Sequence, residues 1–176
     1  MSAKNILIFI VEDDPMHLQM LRDHLSKMSD FEIKDFGTGE DCISYITKTN
    51  ENPDIVFLDF YLNSVVKDAM DGLDALVEIK KIAPHTDIVM LSRQDKIQVA
   101  VDVMKYGAFD YIVKGESAFY RAEKAVYNIY RYSKMRRNAE TYKKLTISFA
   151  IAFVLMIILF IILQQKGLIS ANPGWI

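Results

Sequence analysis

The chain has 176 residues, 51% of them hydrophobic and 25% charged, with a formal net charge of −2 and a single cysteine. At ~100–200 residues per domain this is one globular domain plus a modest extra segment, and the composition excludes a disordered, collagen-like or disulfide-rich chain. Cys42, having no partner, excludes an intramolecular disulfide. The near-neutral charge conceals a split. Residues 1–120 hold 12 Lys/Arg against 21 Asp/Glu, net −9, while residues 121–176 hold 9 against 2, net +7. Such asymmetry points to a basic tail whose partner differs from that of the body.

The body alternates strand and helix patterns. Asn5–Val11 is a short apolar run of the kind buried on both faces of a sheet. Pro15–Met28 has helical spacing (Met16, Leu18, Leu21, Leu25, Met28), and Asp14-Pro15 is a good helix start. Phe31–Phe36 predicts a second strand and Glu40–Thr49 a second helix. Ile55–Leu58 is a third strand, entered through Asn52-Pro53, and Gly72–Ile82 a helix stopped before Pro84. Asp87–Leu91 is a fourth strand, Ile97–Tyr106 a helix ended by Gly107, and Phe109–Val113 a fifth strand. Ser117 caps a last helix that runs into a basic connector. Five β/α units in ~120 residues imply an α/β fold with a parallel sheet and helices on both faces.

Leu145–Leu163 then reads as 19 residues without a charge, in which Thr146 and Ser148 alone are polar. A bilayer core needs ~20 such residues in a helix. The competing reading, a buried helix of a soluble protein, normally keeps a polar stripe, which this segment lacks. No N-terminal signal peptide is visible, because the run Ile6–Val11 is short and followed at once by acids. Arg131, Lys134, Arg136, Arg137, Lys143 and Lys144 precede the span, and Lys166 is the lone cation beyond it. The positive-inside tendency puts the body in the cytoplasm and the short tail, 164–176, across the membrane, where Trp175 could sit at the interface. The connector, 131–144, either touches anionic headgroups or is a solvated stretch that sets topology. Ser148 and Ala152 have small-xxx-small spacing, which would let two copies approach as a homodimer.

In parallel sheets the residues that close the strands line the site, near the point where strand order reverses. Here those residues are Glu12-Asp13-Asp14, Asp59, Ser92 and Lys114. Acids gathered at one edge repel one another unless a cation intervenes. A hard divalent ion such as Mg²⁺ would resolve that, and a hydroxyl and a lysine complete a pocket suited to a phosphoryl group. An aspartate can act as nucleophile toward phosphorus.

IVEDD at 10–14, FLDF at 57–60, MLS at 90–92 and GAFDYIVK at 107–114 together resemble the receiver domain of response regulators, the CheY-like family, over residues 4–130. The resemblance implies a doubly wound five-stranded fold of strand order 2-1-3-4-5 and an aspartate phosphorylated by a histidine kinase or phosphotransfer protein. Carried over by position, Asp59 is the phosphoacceptor. Asp13 binds Mg²⁺ directly, Glu12 acts through water, and the backbone carbonyl of Tyr61 is a further ligand. Asp14 fits better as the helix cap. Ser92 bonds a phosphoryl oxygen, Lys114 pairs with that group or with unmodified Asp59, and Tyr111 sits at the switch aromatic. The other reading of Tyr111 is a half-buried ring that does not switch. Three features depart from the family pattern. Gly115 stands where Pro is usual, the loop Asn63–Met70 is about five residues longer than usual, and Arg93 occupies a position where a small residue is common. Arg93 could screen the acyl phosphate, pair with an acid or point to solvent.

The expected function is a membrane-tethered, stand-alone receiver at the bacterial inner membrane. It would signal to a protein partner through the surface of the fourth helix, fifth strand and fifth helix. Only about 15–20 residues separate that helix from the span, too few for a DNA-binding module, and the net −9 body repels phosphate backbones. The alternative is a non-phosphorylated docking module that localises a partner. An aspartyl-phosphatase is a weaker third reading, because Tyr61 stands where such enzymes typically place a second acid. The expectation is therefore a phosphoacceptor rather than an enzyme. His17, His24 and His85 show no metal spacing, and His17 and His24 are expected at the surface without a role.

Overall fold

The computed structural model describes residues 6–28, 31–62 and 69–165. Asn5, most of the long loop (63–68), Lys166 and the tail with Trp175 lie outside these residues. So do the side chains of Arg136, Arg137, Lys143 and Lys144. The chain divides into two compact units, Met1–Tyr130 and Arg131–Ile176.

Five strands alternate with helices: β1 (Leu7–Val11), α1 (Pro15–Ser26), β2 (Glu32–Phe36), α2 (Gly39–Thr49), β3 (Ile55–Asp59), α3 (Gly72–Ile82), β4 (Asp87–Ser92), α4 (Ile97–Lys105), β5 (Asp110–Val113) and α5 (Ala118–Gln165), of which residues 118–130 belong to the first unit. All pairings are parallel and the order is β2-β1-β3-β4-β5. That is the doubly wound arrangement expected. The helix starts follow local chemistry. Asp14 Oδ1 accepts the backbone N–H of Met16 at 3.0 Å and of His17 at 3.3 Å, and Pro15 opens α1 where no N–H is needed. Thr38 caps α2, which therefore begins one residue before the predicted Glu40, and Asp71 caps α3. After α4 the chain turns at Gly107, whose φ of +95° suits a residue without a Cβ.

Side chains alternate across the sheet with the period of two that strands impose. Phe9, Val11, Val56, Leu58, Ile88 and Met90 pack with α2, α3 and α4 on one face. Ile8, Ile10, Ile55, Phe57, Val89 and Ile112 pack with α1 and α5 on the other. Right-handed crossovers explain the split. The step from β1 to β2 runs opposite to the steps β2-β3-β4-β5, so α1 falls on the other side. The reversal lies between β1 and β3, and both strands end there in acids.

The second unit contains the apolar segment. Leu145–Gln164 has a mean hydropathy of 3.1 and none of it is buried. Among the described residues, one helical segment is thus long and apolar enough to cross a membrane.

Candidate functional site

The β1–β3 register ends on the pair Val11–Leu58, so the next residue on each strand is Glu12 and Asp59. The β4–β5 register ends on Ser92–Val113, which puts Lys114 one step beyond. Parallel pairing thus delivers an acid from β1, an acid from β3, a hydroxyl from β4 and an amine from β5 to one edge. Glu12, Asp13, Asp59 and Ser92 are all buried.

Carboxylate oxygens of Glu12, Asp13 and Asp59 lie within 4.8 Å of one another. Lys114 Nζ is 2.8 Å from Asp59 Oδ2, and it also donates to Glu12 Oε1 and Oε2 at 2.9 and 2.7 Å. One ammonium therefore serves two carboxylates. The two acids respond in opposite ways. Burial pushes Asp59 up to about 6, the neighbouring Glu12 charge adds to that, and Lys114 only partly offsets it. Burial also acts to raise Glu12, but the hydrogen bond from His17 and the charge and hydrogen bond of Lys114 win and hold it at about 2. Three buried carboxylates this close together form a hard-oxygen donor set that fits a divalent cation. Receiver domains bind Mg²⁺ at such an acidic pocket.

Ser92 and Tyr111 meet at a third residue rather than at Asp59. Ser92 Oγ accepts the N–H of Gln94 at 3.1 Å, and the Tyr111 hydroxyl donates to the Gln94 carbonyl at 2.5 Å. Tyr111 is 8% exposed and packs on the α2–α3–α4 side of the sheet, so it is buried and not half-buried. The backbone N–H of Tyr61 donates to Asp59 Oδ1 at 3.4 Å. Of the three readings open for Arg93, pairing with an acid holds: its Nη2 is 3.3 Å from Asp14 Oδ2.

The surface expectation for the histidines needs correction. His17 Nδ1 lies 2.7 Å from Glu12 Oε2, and the rings of His17 and His24 both stack on Phe119 of α5, at 5.8 and 5.7 Å. His17 sits in the first turn of α1, directly after β1, so its side chain reaches back to the end of the strand. Its helical spacing from Leu21 and Leu25, four and eight residues on, could have placed it on the inward face. The glycine of α3 also contributes. A Cβ on Gly72 would lie 2.1 Å from the Asp59 carbonyl oxygen, so α3 approaches the end of β3 only because this position is bare.

The family profile for the response regulator receiver domain matches residues 8–119. The chain is 34% identical over 110 residues to the chemotaxis protein CheY of Listeria monocytogenes serovar 1/2a, covering 62% of this chain and 87% of that protein. It is 27% identical over 148 residues to the transcriptional regulatory protein MalR of Bacillus subtilis (strain 168), covering 79% of this chain and 60% of that protein. The chain thus spans less than two thirds of MalR. Its backbone matches a chain of the CheX–CheY–BeF3–Mg²⁺ complex of Borrelia burgdorferi with a TM-score of 0.62 and 25% identity, covering 71% and 89% of the two chains. The strand order, the acid cluster and the profile match agree: this chain belongs to the response regulator receiver domain family.

Proposed function

We propose that this chain is a membrane-tethered receiver that accepts a phosphoryl group on Asp59 from a histidine kinase or phosphotransfer protein and signals to a protein partner. The observation that carries this is Lys114 Nζ, set 2.8 Å from Asp59 and 2.7 Å from Glu12 in a buried pocket of three carboxylates. At neutral pH Asp59 is mostly ionised, and burial leaves it poorly solvated, which suits a nucleophile. One Asp59 oxygen attacks phosphorus. The O–P bond forms as the P–N bond of the donor phosphohistidine breaks, and the imidazole leaves with the electron pair. Lys114, freed from the oxygen that is modified, keeps a cation beside the new phosphoryl oxygens. Glu12, Asp13, Asp59 and the carbonyl of Tyr61 would hold Mg²⁺. When bound, that ion supplies charge neutralisation at the phosphoryl oxygens.

Ser92 would turn its hydroxyl from the Gln94 amide to a phosphoryl oxygen. Tyr111 holds the carbonyl of the same residue, so the two moves are linked through Gln94. The surface of α4, β5 and α5 would carry the change to a partner. The chain is read as a phosphoacceptor signalling domain, with at most self-catalysed phosphotransfer and autodephosphorylation. Acetyl phosphate or beryllofluoride with Mg²⁺ tests this. Wild type should gain a phosphoryl group or change its α4–α5 surface, and Asp59→Asn should not. An identical response in both sinks the reading.

The tether rests on the exposed apolar segment and on the cations that precede it. On this proposal the receiver lies in the cytoplasm at the bacterial inner membrane. The chain should sediment with membranes and resist alkaline carbonate extraction, and deletion of 145–163 should release it. The second reading, a docking module that needs no phosphorylation, is favoured by Gly115 in place of the usual proline beside Lys114. It requires that Asp59→Asn leave partner binding unchanged.

A further inference from the structure

His17 lies outside the acid, hydroxyl and lysine set assigned above, yet it makes a short contact to that set. Its Nδ1 is 2.7 Å from Glu12 Oε2. A carboxylate oxygen accepts, so Nδ1 is the donor of this bond. The ring has little freedom. Its own backbone N–H is capped by Asp14, and its face lies against Phe119 with planes 29° apart. Phe119 is in turn covered by His24, whose Nε2 is 3.5 Å from Glu123 on α5. A chain of fixed groups therefore runs from α5 through Phe119 to His17 and ends on a pocket carboxylate.

The donor matters because Lys114 is divided. It serves Asp59 as well as both oxygens of Glu12. Without His17, Glu12 would rely on a lysine that must also hold the phosphoacceptor. We propose that His17 is a positioning residue: by donating Nδ1–H to Glu12 Oε2 it fixes the carboxylate that helps hold the divalent cation, and thereby sets the affinity of the pocket for that cation. This rests on the reading of Glu12, Asp13 and Asp59 as the cation pocket. Groups that orient a ligand from behind typically alter metal affinity by about 10–100-fold when removed.

The test is Mg²⁺ titration of the unphosphorylated full chain in detergent micelles, followed by calorimetry, with thermal unfolding as a check on folding. His17→Leu keeps an apolar contact to Phe119 but removes the donor, and should weaken Mg²⁺ binding about tenfold. His17→Asn puts an amide N–H the same number of bonds from Cα as Nδ1, and should restore affinity to within about threefold of wild type. If Leu unfolds the chain, His17→Ala makes the same comparison. A donor-less variant that binds as wild type does overturns the inference alone, as does an Asn variant no better than Leu. Wild type that binds no Mg²⁺ overturns the reading of the pocket and the inference with it.

Discussion

Two ion clusters on this sheet use similar bonds to opposite effect. On the outer side of β2, Lys34 Nζ is 2.5 Å from Glu51 and 2.7 Å from the Tyr45 hydroxyl, and Tyr45 donates to the same Glu51 oxygen at 2.7 Å. At the ends of β1, β3 and β5, Lys114 makes bonds of 2.7–2.9 Å to Glu12 and Asp59. In the first cluster every shift favours the charged forms: hydrogen bonds that Lys34 donates to Glu51 and Tyr45 hold it above the usual lysine range, and Lys34 lowers Glu51. In the second, Glu12 is lowered and Asp59 raised, so one acid gains at the expense of the other. Near β2, water shares the charge. At the strand ends burial removes that help, and Glu12 and Asp59 must divide one lysine. Bond length alone therefore does not reveal which cluster is stable and which is held ready for a further cation.

The comparison can be broken at Lys114. Lys114→Met leaves Glu12 and Asp59 buried without their cation and should cost about 3–5 kcal/mol in denaturant unfolding. A loss below 1 kcal/mol would mean that water reaches the pocket freely.

Asp59→Asn should act the other way. Its folded pKa, about 6, lies above the ordinary 3.8, so the folded state holds the proton more tightly and the ionised form destabilises. The variant should be more stable than wild type by about 2–3 kcal/mol at pH 7. That advantage should shrink as pH falls through about 6 and vanish below the ordinary 3.8, where wild-type Asp59 is neutral in both states. Glu12 has the opposite sign. Its contribution is present above the ordinary 4.5 and is lost as pH falls toward about 2. Paired melts of both proteins from about pH 3 to 8 check that the difference closes.

Gly72→Ala should cost about 1–3 kcal/mol, because its methyl meets the backbone of Asp59 and Phe60 rather than a movable side chain. It should also slow phosphorylation by acetyl phosphate by displacing Asp59. The smallest effect belongs to Lys34→Met, which should leave the melting temperature unchanged within error because its cluster is solvated. A large loss there would erase the contrast between the two clusters.

Much of this protein could be read locally. The apolar runs of β1 and β3, the Asp14-Pro15 start of α1 and the uncharged segment after Lys144 are short-range patterns set by burial, capping and bilayer thickness. The residues that close the strands were legible because parallel register brings strand ends to one edge whatever the details of packing. The shape of β2 was less clear. Its Glu32, Lys34 and Asp35 weaken the apolar signal because an edge strand is only partly covered.

The pairing of side chains within the pocket required the folded chain. His17 reads as an ordinary helix residue, and nothing near it in sequence announces Phe119, 102 positions away. They meet because strand order reverses beside β1, which places α1 and α5 on the same face of the sheet. Arg93 and Asp14 come together across that same reversal. Local sequence pattern settled which groups reach the strand ends. Packing between elements distant in sequence decided how Lys114 is shared and which neighbour steadies Glu12, because those contacts depend on topology rather than on spacing along the chain.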